Sequence, residues 1–301
     1  MKALVWTLLF AIAGLTTARA ATPSEEADAM AEEPLRPVHY VVTLQWGQGQ
    51  VRDTYLTPLL YEGDATSLRY DRDRRLRNPL LSNLQTFQGT LTTGTDKGHH
   101  SDSWAGRFTY RYALHFGLLR RPNYTLLLGP YAGAEVGFNY NLKLASSNNP
   151  ATAQADVTYL GASLDLTVPY RLGRHTCYVR LAAQTPLLGT TLMTDYGASY
   201  FETFYLDDYA GDDPVAFTSL HNQQNVDLRL TTELPFALVP FLGRYGSSLA
   251  VGVHYRRETM KVNHIVRRFS TIEAVVGWSY NQVPFRRGQA EGRERTVLMP
   301  W

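Results

Sequence analysis

Cysteine is nearly absent from this 301-residue chain. Cys177 stands alone, which excludes an internal disulfide, a CxxC redox pair and a cysteine-built zinc cage. No glycine-rich phosphate loop and no HExxH pair occurs, so nothing points to a nucleotide, haem or zinc enzyme, and no cofactor is expected. Long apolar runs are also missing. The only extended one, Leu4 to Leu15, falls short of the roughly 20 residues a spanning helix needs. Charge of one sign is lacking too: 29 Lys and Arg face 27 Asp and Glu, which argues against a nucleic-acid partner.

What is present begins with an address. Lys2, the apolar run and Ala18-Arg19-Ala20 have the order of a signal peptide, with cleavage expected after Ala20. Removing Lys2 and Arg19 leaves 27 basic against 27 acidic residues. Residues 21–36 are acidic and weakly patterned and read as a flexible leader. Cys177 reads as a small hydrophobe on a strand.

The rest of the chain alternates with a period of two. In WAGRFTYRYALHFGLL, Trp104 to Leu119, one half carries Trp104, Phe108, Tyr110, Tyr112 and Phe116, the other Arg107, Arg111 and His115. The same alternation returns in 38–48, 124–142, 155–170, 222–236, 247–259 and 267–283. These stretches exceed the usual 5–6 residues of a globular strand, whereas a membrane strand needs about 9–11. Aromatic residues gather toward the ends of the apolar faces: Trp46, Trp104, Tyr140, Tyr170, Trp278 and Tyr280. Glycine and charge share the opposite face, which a lumen tolerates. The fold expected is all-β, an antiparallel outer-membrane β-barrel of 10–12 strands over residues 37–285, with residues 286–301 as a tail.

Segmentation yields eleven strands, the first three at 38–48, 53–62 and 66–74, although a periplasmic N-terminus requires an even count. RRPN (120–123) and RLGR (171–174) are tight turns, and 238–246 is moderately short. Longer connections lie at 93–103, 145–154, 190–221 and about 259–266. Short turns belong in the periplasm and long loops outside the cell.

Several short motifs resemble one family. They are Thr54-Tyr55-Leu56-Thr57-Pro58-Leu59 with Tyr61 and Gly63, Asn149-Pro150, Pro186, Gly189, Asp195-Tyr196-Gly197, Tyr200-Phe201-Glu202, Phe204 and Val262-Asn263 leading to Gly277. In order and spacing they resemble the Bacteroidetes family of exported proteins of unknown function, DUF3316, over about residues 37–280. The resemblance implies a Gram-negative outer membrane and brings no activity with it.

Three constellations bear on chemistry. His99 and Ser101, with Asp102 nearby, have the two-apart spacing of a His–Ser lipid hydrolase, but they sit in a polar loop. His99, His100 and Asp102 are three metal-ligand types in a loop and not a cage, so no metal is expected. The inward set is Arg107, Arg111, His115, Glu135, Asp165, Arg180, Asp227, Arg229, Glu233, His254, Arg256 and Glu273. Its mixed signs suggest a salt-bridged lumen, or the lining of a narrow solute path. The aromatic, acidic segment holding Asp195, Tyr196, Tyr200, Phe201, Glu202 and Phe204 is expected to cap the extracellular mouth or touch a ligand, with Arg180 or Arg256 as partner for Glu202.

The expected role is that of a non-enzymatic structural or interaction barrel, or a narrow channel, in the outer membrane. Its partners would be outer-membrane lipid, the barrel-assembly machinery and a small solute or glycan. A lipid hydrolase and a secreted soluble β-protein binding a sugar or peptide are the alternatives.

Overall fold

The computed structural model describes residues 38–282 apart from 77, 79, 122, 144–149, 195–212 and 237–246. The predicted signal peptide, leader and tail lie outside these residues. The strands are β1 (Val38–Asp53), β2 (Thr57–Arg75), β3 (Leu81–Asp96), β4 (Asp102–Arg121) and β5 (Tyr124–Asn141). They continue with β6 (Ala151–Leu172), β7 (His175–Leu192), β8 (Val215–Ser219), β9 (Gln223–Pro235), β10 (Ser247–Val262) and β11 (Ile265–Gln282). Every neighbour pair is antiparallel, and β1 pairs with β11 while β6 pairs with β7. The sheet therefore closes on itself.

Eleven segments make ten strands. Both β8 and β9 pair with β7, β8 along Leu188–Leu192 and β9 along Tyr178–Gln184. They are two halves of one strand, interrupted near Leu220–Asn222, where Asn222 Oδ1 accepts from Ser219 N at 2.8 Å and Asn222 O from Lys261 N at 2.8 Å.

The eleven-strand reading is corrected at the start of the chain. The segments read as 53–62 and 66–74 form the single strand β2, and the turn is at Thr54–Leu56. Glu62, Gly63 and Asp64 look like a turn in sequence, yet they pair with both Gln48–Gln50 and Thr93–Thr95. The connection expected at 259–266 is also corrected: β10 and β11 meet in a two-residue turn, Asn263–His264. Both residues have positive φ, 49° and 60°, the primed geometry that matches strand twist.

The barrel is inside out relative to a soluble protein. Outward positions are exposed and apolar, among them Leu68 at 60%, Trp278 at 53%, Phe108, Val136 and Val253. Inward positions are buried and mostly polar, as with Thr43, Gln45, His115 and His254, all at 0%. Exposed apolar area of this extent is stable only against lipid, and a closed, even-stranded barrel with a polar interior is the outer-membrane build. Among the described residues no helix is long and apolar enough to cross a membrane.

On the outer face an aromatic row crosses β11, β1, β2, β3 and β4. It runs through Trp278–Tyr280 at 5.9 Å, Tyr40–Tyr280 at 5.1 Å, Tyr40–Tyr70 at 6.1 Å, Tyr70–Phe87 at 6.1 Å and Phe87–Tyr110 at 4.7 Å. Its end at Tyr40 and Tyr280 lies near the strand ends, where an interfacial girdle sits. Trp46 lies in the middle of β1 yet ends its apolar face, the outward residues beyond it being Gln48, Gln50 and Arg52. Two glycines are there to accept rings: Gly161 faces Tyr131 across β5–β6, and Gly106 faces Phe138 across β4–β5. A Cβ on Gly161 would lie 2.1 Å from the Tyr131 ring and one on Gly106 2.3 Å from the Phe138 ring. In Trp104 to Leu119 the alternation holds as far as Phe116, after which a bulge between Gly117 and Leu119 exposes Leu118 and Leu119 together.

Candidate functional site

All twelve residues of the inward set lie on the lumen side of their strands, because each sits at the polar parity of an alternating strand. Their contacts fall into three tiers along the barrel.

The upper tier, nearest the 193–214 connection, joins three carboxylates to three guanidinium groups. Arg107 Nη1 donates to Glu135 Oε1 at 2.9 Å and to Glu258 Oε2 at 3.1 Å. Arg256 Nη2 donates to Glu135 Oε2 at 2.5 Å and to Glu258 Oε2 at 2.9 Å. Arg267 Nη2 donates to Asp156 Oδ2 at 2.7 Å and lies 3.5 Å from Glu258 Oε1. The Arg107 guanidinium also lies over the Phe269 ring, 3.9 Å from its centroid. Glu135, Asp156 and Glu258 can bring ligand atoms within 4.8 Å of one another, a grouping that could hold a cation. Here the three arginines already balance the three acids, so a metal would have to displace them.

The middle tier centres on Asp227 and Asp71. Arg111 Nη1 donates to Asp227 Oδ2 at 2.5 Å, and His254 Nε2 lies 3.0 Å from Asp227 Oδ1. His254 Nδ1 is 3.3 Å from Glu273 Oε2, and Ser67 donates to Glu273 Oε1 at 2.7 Å. Asp71 is held by Arg69 at 3.0 Å, by Thr86 at 2.7 Å and by Arg229. The lower tier contains Glu233 with His39 at 3.1 Å and Ser279 at 3.0 Å. Arg180 there pairs with Asp165 and, at 3.1 Å, with Asp73, while His115 Nε2 meets Ser163 Oγ at 2.8 Å.

Sequence reading missed Arg69, Asp71, Asp73, His39, Asp156, Glu258 and Arg267. The signal for three of them lay in RYDRDRR: Arg69, Asp71 and Asp73 continue the parity of Ala65 and Ser67. Splitting β2 in two hid it. Asp156, Glu258 and Arg267 sit within a few residues of strand ends, where parity without the register is ambiguous.

Two small cavities lie between described residues of the lumen, one of about 20 Å³, lined by Glu135, Asp156, Asn225 and Glu258 among others, and one of about 10 Å³, beside Arg69, Asp71, Arg180 and Arg229. Each admits about one water. Above the upper tier the lining turns apolar: Met193, Met260, Val262 and Ile265 cluster, with Tyr55 and Ala216 against them.

The His99–Ser101 pair is not assembled as a hydrolase. His99 Nδ1 lies 3.3 Å from Thr95 Oγ1, whereas Ser101 Oγ donates to Asn141 Oδ1 at 2.9 Å and lies 3.2 Å from Tyr61 OH. Asp102 is exposed at the first position of β4. The His100 ring lies 3.8 Å from Asp96. The loop is ordered around Asp96, whose carboxylate accepts from the backbone N–H of Gly98 at 3.1 Å, His100 at 2.8 Å and Ser101 at 2.8 Å. Desolvation raises the Asp96 carboxyl, but these backbone donors outweigh it and hold the group below its ordinary value. Asp195, Tyr196, Tyr200, Phe201, Glu202 and Phe204 lie outside the described residues.

Comparison of the sequence with characterised proteins gives no match. Among solved structures the chain is similar to the outer membrane protease OmpT from Escherichia coli, at 9% identity and a TM-score of 0.44, covering 83% of this chain and 99% of that one. It is also similar to the beta domain of the Bordetella autotransporter BrkA, at 11% identity and a TM-score of 0.40, covering 81% and 99%. A third similarity is to Neisserial surface protein A, at 12% identity and a TM-score of 0.29, covering 80% and 96%. The family described as "Protein of unknown function (DUF3316)" matches residues 4–286, and the chain belongs to that family.

Proposed function

We propose that this protein is a closed, non-enzymatic barrel of the outer membrane that works through its loops and its outer surface rather than through its lumen. The observation that supports this is the lumen itself. Three tiers of ion pairs cross it, and the two cavities between their side chains, about 20 and 10 Å³, are each smaller than a hydrated ion. The turns at residues 121–124 and 172–175 would face the periplasm, and the connections at 142–150 and 193–214 the exterior. Export by the signal peptide over residues 1–20, insertion by the barrel-assembly machinery and a Bacteroidetes source complete the reading, the last from the family resemblance alone. The segment 195–206 would cap the mouth. The apolar cluster at its root, with Met193 N donating to Pro214 O at 2.9 Å, favours that placement.

A narrow solute path is the second reading. It is favoured by the succession of ionisable groups from Arg267 through Asp227 and Asp71 to Asp165, which lines the interior along its length. One experiment separates the readings. The refolded protein in liposomes is assayed for solute-dependent swelling, single-channel conductance and lipid hydrolysis. A closed barrel gives none of the three. Discrete conductance steps would replace it with the channel, and fatty-acid release abolished by Ser101→Ala would replace it with the hydrolase.

A further inference from the structure

Four cations stand together on the outer face of three adjacent strands. They are Arg52 on β1, Arg268 on β11, and Arg257 and Lys261 on β10. Their chain neighbours settle the facing. Val51 and Asp53, Arg267 and Phe269, Arg256 and Glu258, and Met260 and Val262 are all buried inward, so the four residues between them point out. Arg257, Lys261 and Arg268 are exposed and Arg52 is half-buried.

Register brings them close. Arg52 pairs directly with Arg268, two like charges facing across an antiparallel ladder. Such a pair is destabilising unless an anion joins it. Arg268 pairs on its other side with Thr259, which puts Arg257 and Lys261 on its two diagonals. Neighbouring strands are about 4.8 Å apart, so the patch is about 10 Å wide and about 13 Å long. Among the described residues none of the four has a carboxylate in ion-pair contact, and Arg52 Nε is buried without a hydrogen-bond partner. Glu62, on the outer face of β2, instead accepts from Gln50 Nε2 at 3.1 Å.

Depth identifies the anion. The continuous apolar face of these strands ends at Trp46, Tyr255 and Ile272. Arg257 is the next outward residue after Tyr255, Arg268 follows Ile272 after Ser270, Arg52 follows Trp46 after Gln48 and Gln50, and Val266 is an isolated apolar residue among them. The patch therefore begins at the edge of the apolar belt, the level of lipid phosphates, and extends above it. We infer that Arg52, Arg257, Lys261 and Arg268 form a binding site for a multiply phosphorylated lipid headgroup of the outer leaflet. Guanidinium groups match phosphate oxygens in bidentate geometry, and the facing Arg52–Arg268 pair supplies two such forks side by side. The leaflet rests on the orientation proposed above; the binding does not, so the two fail separately.

The test uses the full-length barrel refolded in neutral detergent, titrated with a diphosphorylated diglucosamine lipid and with its fully dephosphorylated form. Binding is read by native mass spectrometry and by thermal stability. The expected result is a saturable one-to-one complex with the phosphorylated lipid and a rise in melting temperature that the dephosphorylated lipid does not cause. Arg52→Gln with Arg268→Gln should weaken binding about tenfold or more while leaving the lipid-free melting temperature equal or higher, because a like-charge pair is removed. Arg74→Gln with Arg171→Gln, at the opposite rim, should change nothing. Equal binding by the β1–β11 variant and the wild type, or by the two lipids, would overturn the site. Orientation is read separately, by which face of intact cells exposes residues 213–222 to protease.

Discussion

Arg256 is the residue on which the upper tier turns. It bonds Glu135 and Glu258 at once, and among the described residues those carboxylates share only Arg107 as a second common partner. Removing one member of a buried charge network leaves the others uncompensated, at a cost of about 3–5 kcal/mol. Arg256→Ala should therefore lower unfolding stability in urea by that order, and Arg256→Ala with Glu258→Ala should recover part of the loss. No recovery would mean that Arg256 acts by packing on Phe269, whose ring centroid lies 5.5 Å from its guanidinium carbon. Asp96 makes a pH prediction at the same scale. A carboxyl held below its ordinary value in the folded state favours folding above its unfolded value near 3.8. That contribution is lost as pH falls through the lower folded value. Hydrogen exchange at Gly98, His100 and Ser101 should accelerate in strongly acidic solution and not between pH 5 and 8. Asp96→Asn should abolish this acid step.

Strand facing is the test at the scale of the element. Val253, Leu228, Ala134 and Phe108 are exposed on the outer face and meet lipid. Val253→Arg should cost about 2–4 kcal/mol at mid-depth. Parity alone suggests that arginine at the lumen position Thr231 would be milder. The structure revises this, because Thr231 lines the 10 Å³ cavity beside Arg69, Arg180 and Arg229. Thr231→Arg adds a fourth cation to a filled space, so it should destabilise at least as much as Val253→Arg, while Thr231→Ser should cost little. Unfolding titrations of the three variants in one detergent decide it. β2 shows why elements were harder to delimit than to recognise. Its face pattern was legible, but Glu62-Gly63-Asp64 carries turn residues in the middle of a strand, and only pairing on both sides reveals that it continues.

At the scale of the whole molecule the question is what closes the mouth. Met193, Met260, Val262 and Ile265 make an apolar cluster where a water-filled pore would be polar. The proposed cap over residues 195–206 follows from that cluster and from the five rings in the segment, each worth about 1.5–3 kcal/mol when buried. Intact cells treated with protease should show slow cleavage between Tyr196 and Leu206, slower than in a Met260→Asp variant that remains folded. Fast cleavage in both would remove the cap. With the proposed cap and ion-paired lumen both in place, no conductance steps are expected.

The sequence by itself determined which face of each strand is polar, because alternation is a local property fixed by the pleat. That placed Arg107, Glu135, Asp227, Arg256 and the rest of the inward set in one interior before any pairing was known. It also restricted the strand count to an even number, because both ends of an up-and-down barrel on one side require it. Register decided everything that needs two strands at once. The union of 53–62 with 66–74, the two-residue turn at Asn263–His264 and the meeting of Asp156 with Arg267 all depend on which residues lie opposite one another. So does the facing of Arg52 and Arg268. Apart from the turn, these are separations of tens to hundreds of residues, and no local pattern encodes them. Closure of the sheet brings them within a few ångström.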